Sequence, residues 1–244
     1  MIRVAFVTGV SRGLGEALAG GLAAAGWQVT GIGRSLAPAL ARQGVELLSC
    51  DLRDVEAAAS AAEAAMRAAA AANPARALLV NNAAVAGPIG RLGEVDSREL
   101  AQSIAVNLAA TVVLANAFCA AFTRGERRIV NVSSGLAARA MTGAAAYSVA
   151  KCGMEMLTRA LAVDHSDRGF AAVTYRPGII DTPMQAYMRS RPASALPEVS
   201  MFTRFHEGGE LVDPARVAEV AIAGLVDREV ESGRTYSYAE LAAG

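Results

Sequence analysis

Of the 23 residues that are Lys or Arg, one alone is lysine: Lys151, which follows Tyr147 by four positions in the run Ala146-Tyr147-Ser148-Val149-Ala150-Lys151. A chain that uses arginine for every other basic side chain keeps lysine where a compact ammonium on a flexible stem does what a wide planar guanidinium cannot. Residues four apart share one face of a helix, so this spacing sets the ammonium beside the phenol. Tyrosine titrates near ~10 in model peptides, and a fixed cation close by favours the phenolate. The pair has the parts of a proton donor that works near neutral pH. Such a pair also occurs on ordinary helix surfaces, and its meaning here comes from the rest of the chain.

A second constellation stands at the N-terminus. An apolar run leads into Thr8-Gly9-Val10-Ser11-Arg12-Gly13-Leu14-Gly15, and a helical pattern follows at once. Glycines at 9, 13 and 15 permit a tight turn and a close approach of backbone to a pyrophosphate, whose charge meets the helix N-terminus. Strand, glycine loop and helix come in the order that a dinucleotide site requires. The next strand ends Gly31-Ile32-Gly33-Arg34-Ser35. A carboxylate there would bind a ribose 2′-hydroxyl, whereas a basic residue suits the 2′-phosphate of NADP. The strand end offers Arg34 and no acid, and Arg12 in the glycine loop can reach the same phosphate. The expected cofactor is NADP(H).

These side chains need a scaffold, and the pattern supplies one. Short β-branched runs at 3–8, 27–33, 45–50, 77–81, 128–132, 171–175 and 234–238 alternate with helical patterns at 13–25, 55–72, 98–123, 147–166 and 214–226, the third with a possible break near Asn107. Such alternation marks βαβ units around a parallel sheet. The near-continuous apolar character of the runs suits strands covered on both faces. The predicted fold is α/β, a Rossmann-type doubly wound sheet of seven parallel strands with helices on both faces. The segment 182–212 differs. Pro183, Pro192 and Pro197 interrupt it, while Met184, Tyr187, Met188, Met201, Phe202 and Phe205 make it apolar. A long irregular insert of this kind is expected to act as a substrate lid.

Composition narrows the setting. With 244 residues, no Pro/Ser-rich linker and no long charge run, the chain reads as a single domain over 1–244. Hydrophobic residues at 53% against 19% charged are ample for a large core. A formal net charge of zero offers no field for nucleic acid or an anionic membrane, and neither is an expected partner. The three cysteines are odd in number and lie in apolar runs, which reads as buried free thiols in a reducing compartment. The chain enters Val4-Ala5-Phe6-Val7 without a basic leader, so the expected location is cytoplasmic. With His165 and His206 alone and no His/Cys cluster, no metal is expected.

With T-G-x-x-x-G-x-G at 8–15 and Y-x-x-x-K at 147–151, the chain resembles the short-chain dehydrogenase/reductases over residues 4–182. Asp51-Leu52 resembles the family's pair that contacts adenine, and Asn81-Asn82-Ala83-Ala84 resembles its N-N-A-G with alanine for the usual glycine. Asn107, in Val106-Asn107-Leu108, matches the structural asparagine. Asn131-Val132-Ser133-Ser134 precedes the tyrosine, and Pro177-Gly178-Ile179-Ile180-Asp181-Thr182 resembles P-G-x-x-x-T. The resemblance implies a cofactor cleft made by Gly9, Ser11, Arg12, Gly13, Leu14, Gly15, Arg34, Asp51, Leu52, Asn82, Ala83, Tyr147, Lys151, Pro177, Gly178, Ile180 and Thr182. It also implies a catalytic set of Asn107, Ser134, Tyr147 and Lys151. In the implied mechanism Tyr147 gives a proton to a carbonyl oxygen as NADPH delivers hydride to the carbon, and Ser134 hydrogen-bonds that oxygen. Lys151 holds the nicotinamide ribose hydroxyls and favours the phenolate, while Asn107 interrupts its helix and supports a water that relays protons to Lys151. Ser134 lies 13 residues before Tyr147, as expected of the catalytic serine, and Ser133 alternates to the other face. The family commonly forms dimers or tetramers, so a homodimer or homotetramer through 98–123 and 147–166 is implied.

The C-terminal third carries a finer resemblance. Asp181-Thr182-Pro183-Met184-Gln185, then Glu207-Gly208-Gly209-Glu210-Leu211 and Pro214, resemble the sepiapterin reductase and benzil reductase branch. The tail strand has no acid to anchor a pterin, Glu240 being the nearest. An apolar lid fits a small aromatic or aliphatic ketone or diketone better than a charged substrate. The expected function is NADPH-dependent reduction of such a small-molecule carbonyl to an alcohol. Two alternatives stay open. One is a 3-oxoacyl-(acyl-carrier-protein) reductase, whose N-G-G tail sequence is absent here. The other, of a different class, is a catalytically silent NADP-sensing regulatory protein, which need not keep Ser134, Tyr147 and Lys151 together.

Overall fold

The computed structural model describes residues 1–166 and 169–244. Seven parallel strands form one sheet: β1 (Arg3–Thr8), β2 (Gln28–Gly33), β3 (Glu46–Ser49), β4 (Arg76–Asn81), β5 (Glu126–Val132), β6 (Phe170–Arg176) and β7 (Thr235–Ser237), in the order β3-β2-β1-β4-β5-β6-β7. The order reverses beside β1, where the chain winds first toward β3 and then back out through β4. Open α/β sheets bind ligands at such a switch point, beyond the carboxyl ends of the strands.

Alternation along the strands divides the core. Ala5 and Val7 of β1 and Leu78 and Val80 of β4 pack with α1 (Gly13–Ala24) and α9 (Pro214–Leu225). Val4, Phe6, Ala77 and Leu79 face the other way, against α3 (Val55–Ala71) and α5 (Ala110–Ala121). Both faces are therefore covered, which is why these strands read as continuous apolar runs. The alanine-rich α3 begins where the Asp54 side chain accepts from the Ala57 N–H at 3.0 Å. Asp213 caps α9 in the same way, ahead of Pro214. The short α2 (Pro38–Arg42) and α10 (Tyr238–Ala243) complete the covering layers, and α10 shortens the expected last strand because Tyr238 already starts the helix.

Three elements position the site. The pattern at 98–123 resolves into α4 (Ser97–Ile104), a π-turn over Ala105–Ala109 and α5, so the interruption falls on Asn107. The 20-residue α6 (Ala145–Asp164) carries Tyr147 and Lys151. The segment expected to be irregular contains α7 (Pro183–Arg189) and α8 (Val199–Glu207), packed with Ala86, Met141 and Ala144 into a third apolar cluster. Its two ends are joined by a parallel bridge between Ile180 and Val212. The prolines allow this because Pro183 occupies a first helical turn, where no N–H is missed, while Pro192 and Pro197 lie between the helices. The thiols depart from expectation: Cys50 and Cys119 are half-buried and Cys152 is exposed. Lys151 points inward, and one residue further turns the side chain by about 100°.

Candidate active site and cofactor cleft

The glycine loop is shaped by its lack of side chains. A Cβ on Gly15 would lie 2.3 Å from the Gly9 carbonyl oxygen and 2.4 Å from Asn82 Nδ2. Gly9, at φ +75°, would bring one to 2.9 Å from the Ala83 backbone. The loop following β4 is thus pressed against the loop following β1, and hydrogen bonds hold it there. Thr8 Oγ1 accepts from the N–H groups of Asn82 and Ala83 at 2.9 and 2.8 Å, and Asn82 Nδ2 donates to the Thr8 carbonyl at 3.0 Å. The cradle fits a pyrophosphate, since it exposes backbone where any larger residue would block approach.

One cavity of about 670 Å³ runs across the carboxyl ends of the strands. Gly9, Ser11, Arg12, Gly13, Leu14 and Gly15 line it after β1. Arg34 enters from the end of β2, Asp51 and Leu52 from β3, and Asn82 and Ala83 from β4. Tyr147, Lys151, Pro177, Ile180 and Thr182 line the part beyond β5 and β6. Gly178 stands off the wall as an exposed turn residue at φ +77°.

Asn107 is fully buried behind the cavity, where its carboxamide pairs with the backbone of Val85 as one strand pairs with another. Oδ1 accepts from the Val85 N–H at 2.8 Å and Nδ2 donates to the Val85 carbonyl at 2.8 Å. The π-turn adds the residue that swings this side chain inward. Ser133 and Ser134 diverge as their alternation requires. Ser133 donates to Glu155 on α6 at 2.8 Å, while Ser134 Oγ accepts from the Leu136 N–H at 3.2 Å and stands beside Tyr147.

Lys151 is 1% exposed, and its Nζ donates to the Val132 carbonyl at 2.6 Å. The same nitrogen lies 5.7 Å from the centre of the Tyr147 ring. Burial draws the ammonium down to about 8. The half-buried Tyr147 moves the other way: burial of its phenol pushes it up to about 12, and the Ser134 hydroxyl pulls part-way back. The ammonium spends its charge on the Val132 carbonyl, so in the protein alone desolvation, not the cation, governs the phenol. Asp51 carries a feature that the motif did not disclose. Arg53 donates through Nε to both its oxygens, at 3.1 and 2.9 Å, and the bonded guanidinium holds the carboxyl down at about 2. The two-residue spacing within one turn is the signal that would have revealed it.

A buried polar chain fixes α6 to the sheet. Asn81 Nδ2 donates to Asn131 Oδ1 at 2.8 Å, Asn131 Nδ2 to Thr158 Oγ1 at 2.9 Å, and Thr174 Oγ1 to Thr158 Oγ1 at 2.9 Å. These residues lie on β4, β5, α6 and β6, and only the polar interruptions of apolar strand patterns hinted at them.

Comparison with known proteins agrees with this architecture. The short chain dehydrogenase family profile matches residues 3–193. The chain belongs to the short-chain dehydrogenase/reductase family. Its relatives in that family include the (S)-benzoin-forming benzil reductase of Bacillus subtilis strain 168, 29% identical over 96% of this chain and 97% of the relative. Rat sepiapterin reductase is 31% identical over 65% of this chain and 61% of its own length. Among solved structures, a Beutenbergia cavernae protein described as an NAD(P)-dependent gluconate 5-dehydrogenase, with NADP at low occupancy, superposes with a TM-score of 0.80. That pair is 29% identical and covers 99% of this chain and 97% of the other. The protein is thus an oxidoreductase of the short-chain dehydrogenase/reductase kind, acting on CH–OH or C=O groups with a nicotinamide cofactor.

Proposed function

We propose that this protein is an NADPH-dependent carbonyl reductase that converts a small ketone or 1,2-diketone to the alcohol. The observation that carries this reading is that Tyr147, hydrogen-bonded to Ser134 and one helical turn from Lys151, lines the glycine-cradled cleft near Met184 of the third apolar cluster. Bound NADPH supplies the hydride. Tyr147 holds the proton for the carbonyl oxygen, and its phenol, protonated well past neutrality, is in the donating form. Ser134 orients that oxygen, and Lys151 carries the cation beside the phenol. Asn107 shapes the backbone of Val85, which lines the cleft.

Exposed Arg12 and Arg34 at the cavity wall, with no carboxylate at the end of β2, support NADP over NAD. Met184 on the cavity wall, backed by the buried Met188 and Leu196, supports the assignment of 182–212 as the substrate lid and favours an uncharged substrate. Val149, Met156 and Val163 lie seven residues apart on the outer face of α6 and are largely exposed, as is Val112 on α5. That stripe supports a homodimer or homotetramer through these helices.

The test is NADPH oxidation, with NADH in parallel, against benzil, sepiapterin and an acetoacetyl thioester. Diketone turnover with NADPH, lost in Tyr147→Phe while NADPH still binds, is the expected result. Substantial turnover by that variant would remove Tyr147 as the acid. Thioester turnover without diketone turnover would favour the 3-oxoacyl reductase.

A further inference from the structure

Of the side chains in the third apolar cluster that line the cavity, Tyr187 carries a polar group that the reading above leaves unused. Tyr187 lies on α7 within the same cluster as Met184 and Met188, and it lines the cavity together with Tyr147. Its hydroxyl reaches the loop after β4, where a Cβ built on Gly87 would lie 2.7 Å from that oxygen. Gly87 does not need a left-handed backbone. Its missing side chain makes room for the phenol.

The ring is also held from the solvent side. The Arg191 guanidinium stacks on it, 4.3 Å from the ring centre. Arg191 Nη2 donates to Ser190 Oγ at 2.9 Å, and the Ser190 hydroxyl donates to the Tyr187 carbonyl at 2.8 Å. The three residues brace one another, so the ring is presented to the cavity in a fixed pose. Among the described residues its hydroxyl has no hydrogen-bond partner. Phenylalanine would fill this wall equally well. Tyr187 is half-buried and its hydroxyl is open to the cavity, so a ligand that displaces water from it must supply an acceptor in the water's place.

We infer that Tyr187 is a specificity-determining residue whose hydroxyl donates to the second oxygen of a vicinal diketone or α-hydroxy ketone, leaving the reacting carbonyl to Ser134 and Tyr147. The inference rests on the carbonyl reductase reading and names the substrate class for it. A ketone with one oxygen forfeits this hydrogen bond.

The experiment compares benzil with deoxybenzoin, in which a methylene replaces one carbonyl, for the wild type, Tyr187→Phe and Gly87→Ala. In Tyr187→Phe the ratio of kcat/KM for benzil over deoxybenzoin should fall about three- to tenfold, the range of one neutral hydrogen bond. Gly87→Ala should lower the same ratio, because its methyl displaces the hydroxyl. NADPH binding followed by fluorescence verifies that both variants are folded. An unchanged ratio in Tyr187→Phe, with benzil still turned over by the wild type, overturns the role of Tyr187 alone. A wild type that reduces no diketone overturns the substrate class and the inference with it.

Discussion

Glu155 on α6 and Arg176 at the end of β6 meet in a two-point fork, with Arg176 Nε and Nη2 each 2.8 Å from a separate carboxylate oxygen. Ser133 donates to the same carboxylate, so one side chain ties together the strand end beside Ser134, the helix of Lys151 and the residue before Pro177. Glu155 is 13% exposed and Arg176 31%. Removing one member of a fully buried pair costs about 3–5 kcal/mol, because the other charge stays buried and unpaired. Water reaches Arg176, and Glu155→Ala should therefore cost less, about 2 kcal/mol in urea unfolding. The double variant Glu155→Met/Arg176→Met should recover most of that loss. A double variant as unstable as the single one would mean that the pair itself stabilises the fold.

Lys151 gives two pH predictions with opposite signs. Its ammonium is present below about 8 and lost above. The kcat/KM for NADPH, which reports the enzyme before the cofactor binds, should fall with a single proton as pH rises through that value. Tyr147, pushed up to about 12, cannot produce that limb. For stability the folded value lies below the ordinary 10.5, so the unfolded chain binds more protons between about 8 and 10.5 and the fold gains stability as pH rises through that window. Lys151→Met removes a buried charge, and without cofactor its melting temperature at pH 7 should exceed the wild type's. The difference should shrink toward pH 10. A gap that widens with pH would refute the depressed ammonium.

Asn107 and Val85 test the π-turn. Asn107→Ala leaves the Val85 N–H and carbonyl without protein partners, but Val85 is 40% exposed and water can take up part of that role, so each lost bond costs nearer the net value of about 0.5–1.5 kcal/mol. Chemical denaturation should therefore show a loss of about 1–3 kcal/mol. Because Val85 lines the cleft, NADPH affinity should weaken as well. Asn107→Asp can still accept from the N–H but cannot donate to the carbonyl, and should fall between the wild type and the alanine variant.

The parts of the site that sequence disclosed are those in which chemistry and spacing are local. Tyr147 and Lys151 sit one helical turn apart, and the glycines from 9 to 15 lie in one loop, so their geometry follows from one element each. Asn107 announced itself through a break in an apolar helix. The supports were hidden because their partners are remote in the chain. Asn107 and Val85 are 22 residues apart, and Asn81 and Asn131 are 50 apart. Only the sheet order makes them neighbours. The prolines of 182–212 predict an irregular segment, yet α7 and α8 form around them. Proline forbids a helix interior but not its first turn.

Cofactor choice can be divided among three arginines that line the cleft. Arg12 and Arg34 are exposed there, while Arg53 is engaged by both oxygens of Asp51. A guanidinium already committed to a carboxylate has little left to offer a phosphate. A charge-assisted hydrogen bond is worth about 1.5–3 kcal/mol, so Arg34→Ala should weaken NADPH binding about ten- to hundredfold. NADH, which lacks the 2′-phosphate, should bind almost unchanged. Arg12→Ala should follow the same pattern, and Arg53→Ala should weaken both cofactors alike through Asp51. Kd values from nucleotide fluorescence at two salt concentrations provide the check. Exposed charge contacts are screened, so the preference for NADPH should narrow as salt rises, and least in Arg34→Ala, where part of it is already gone. Equal losses for both cofactors in Arg34→Ala would remove the arginine from the 2′-phosphate.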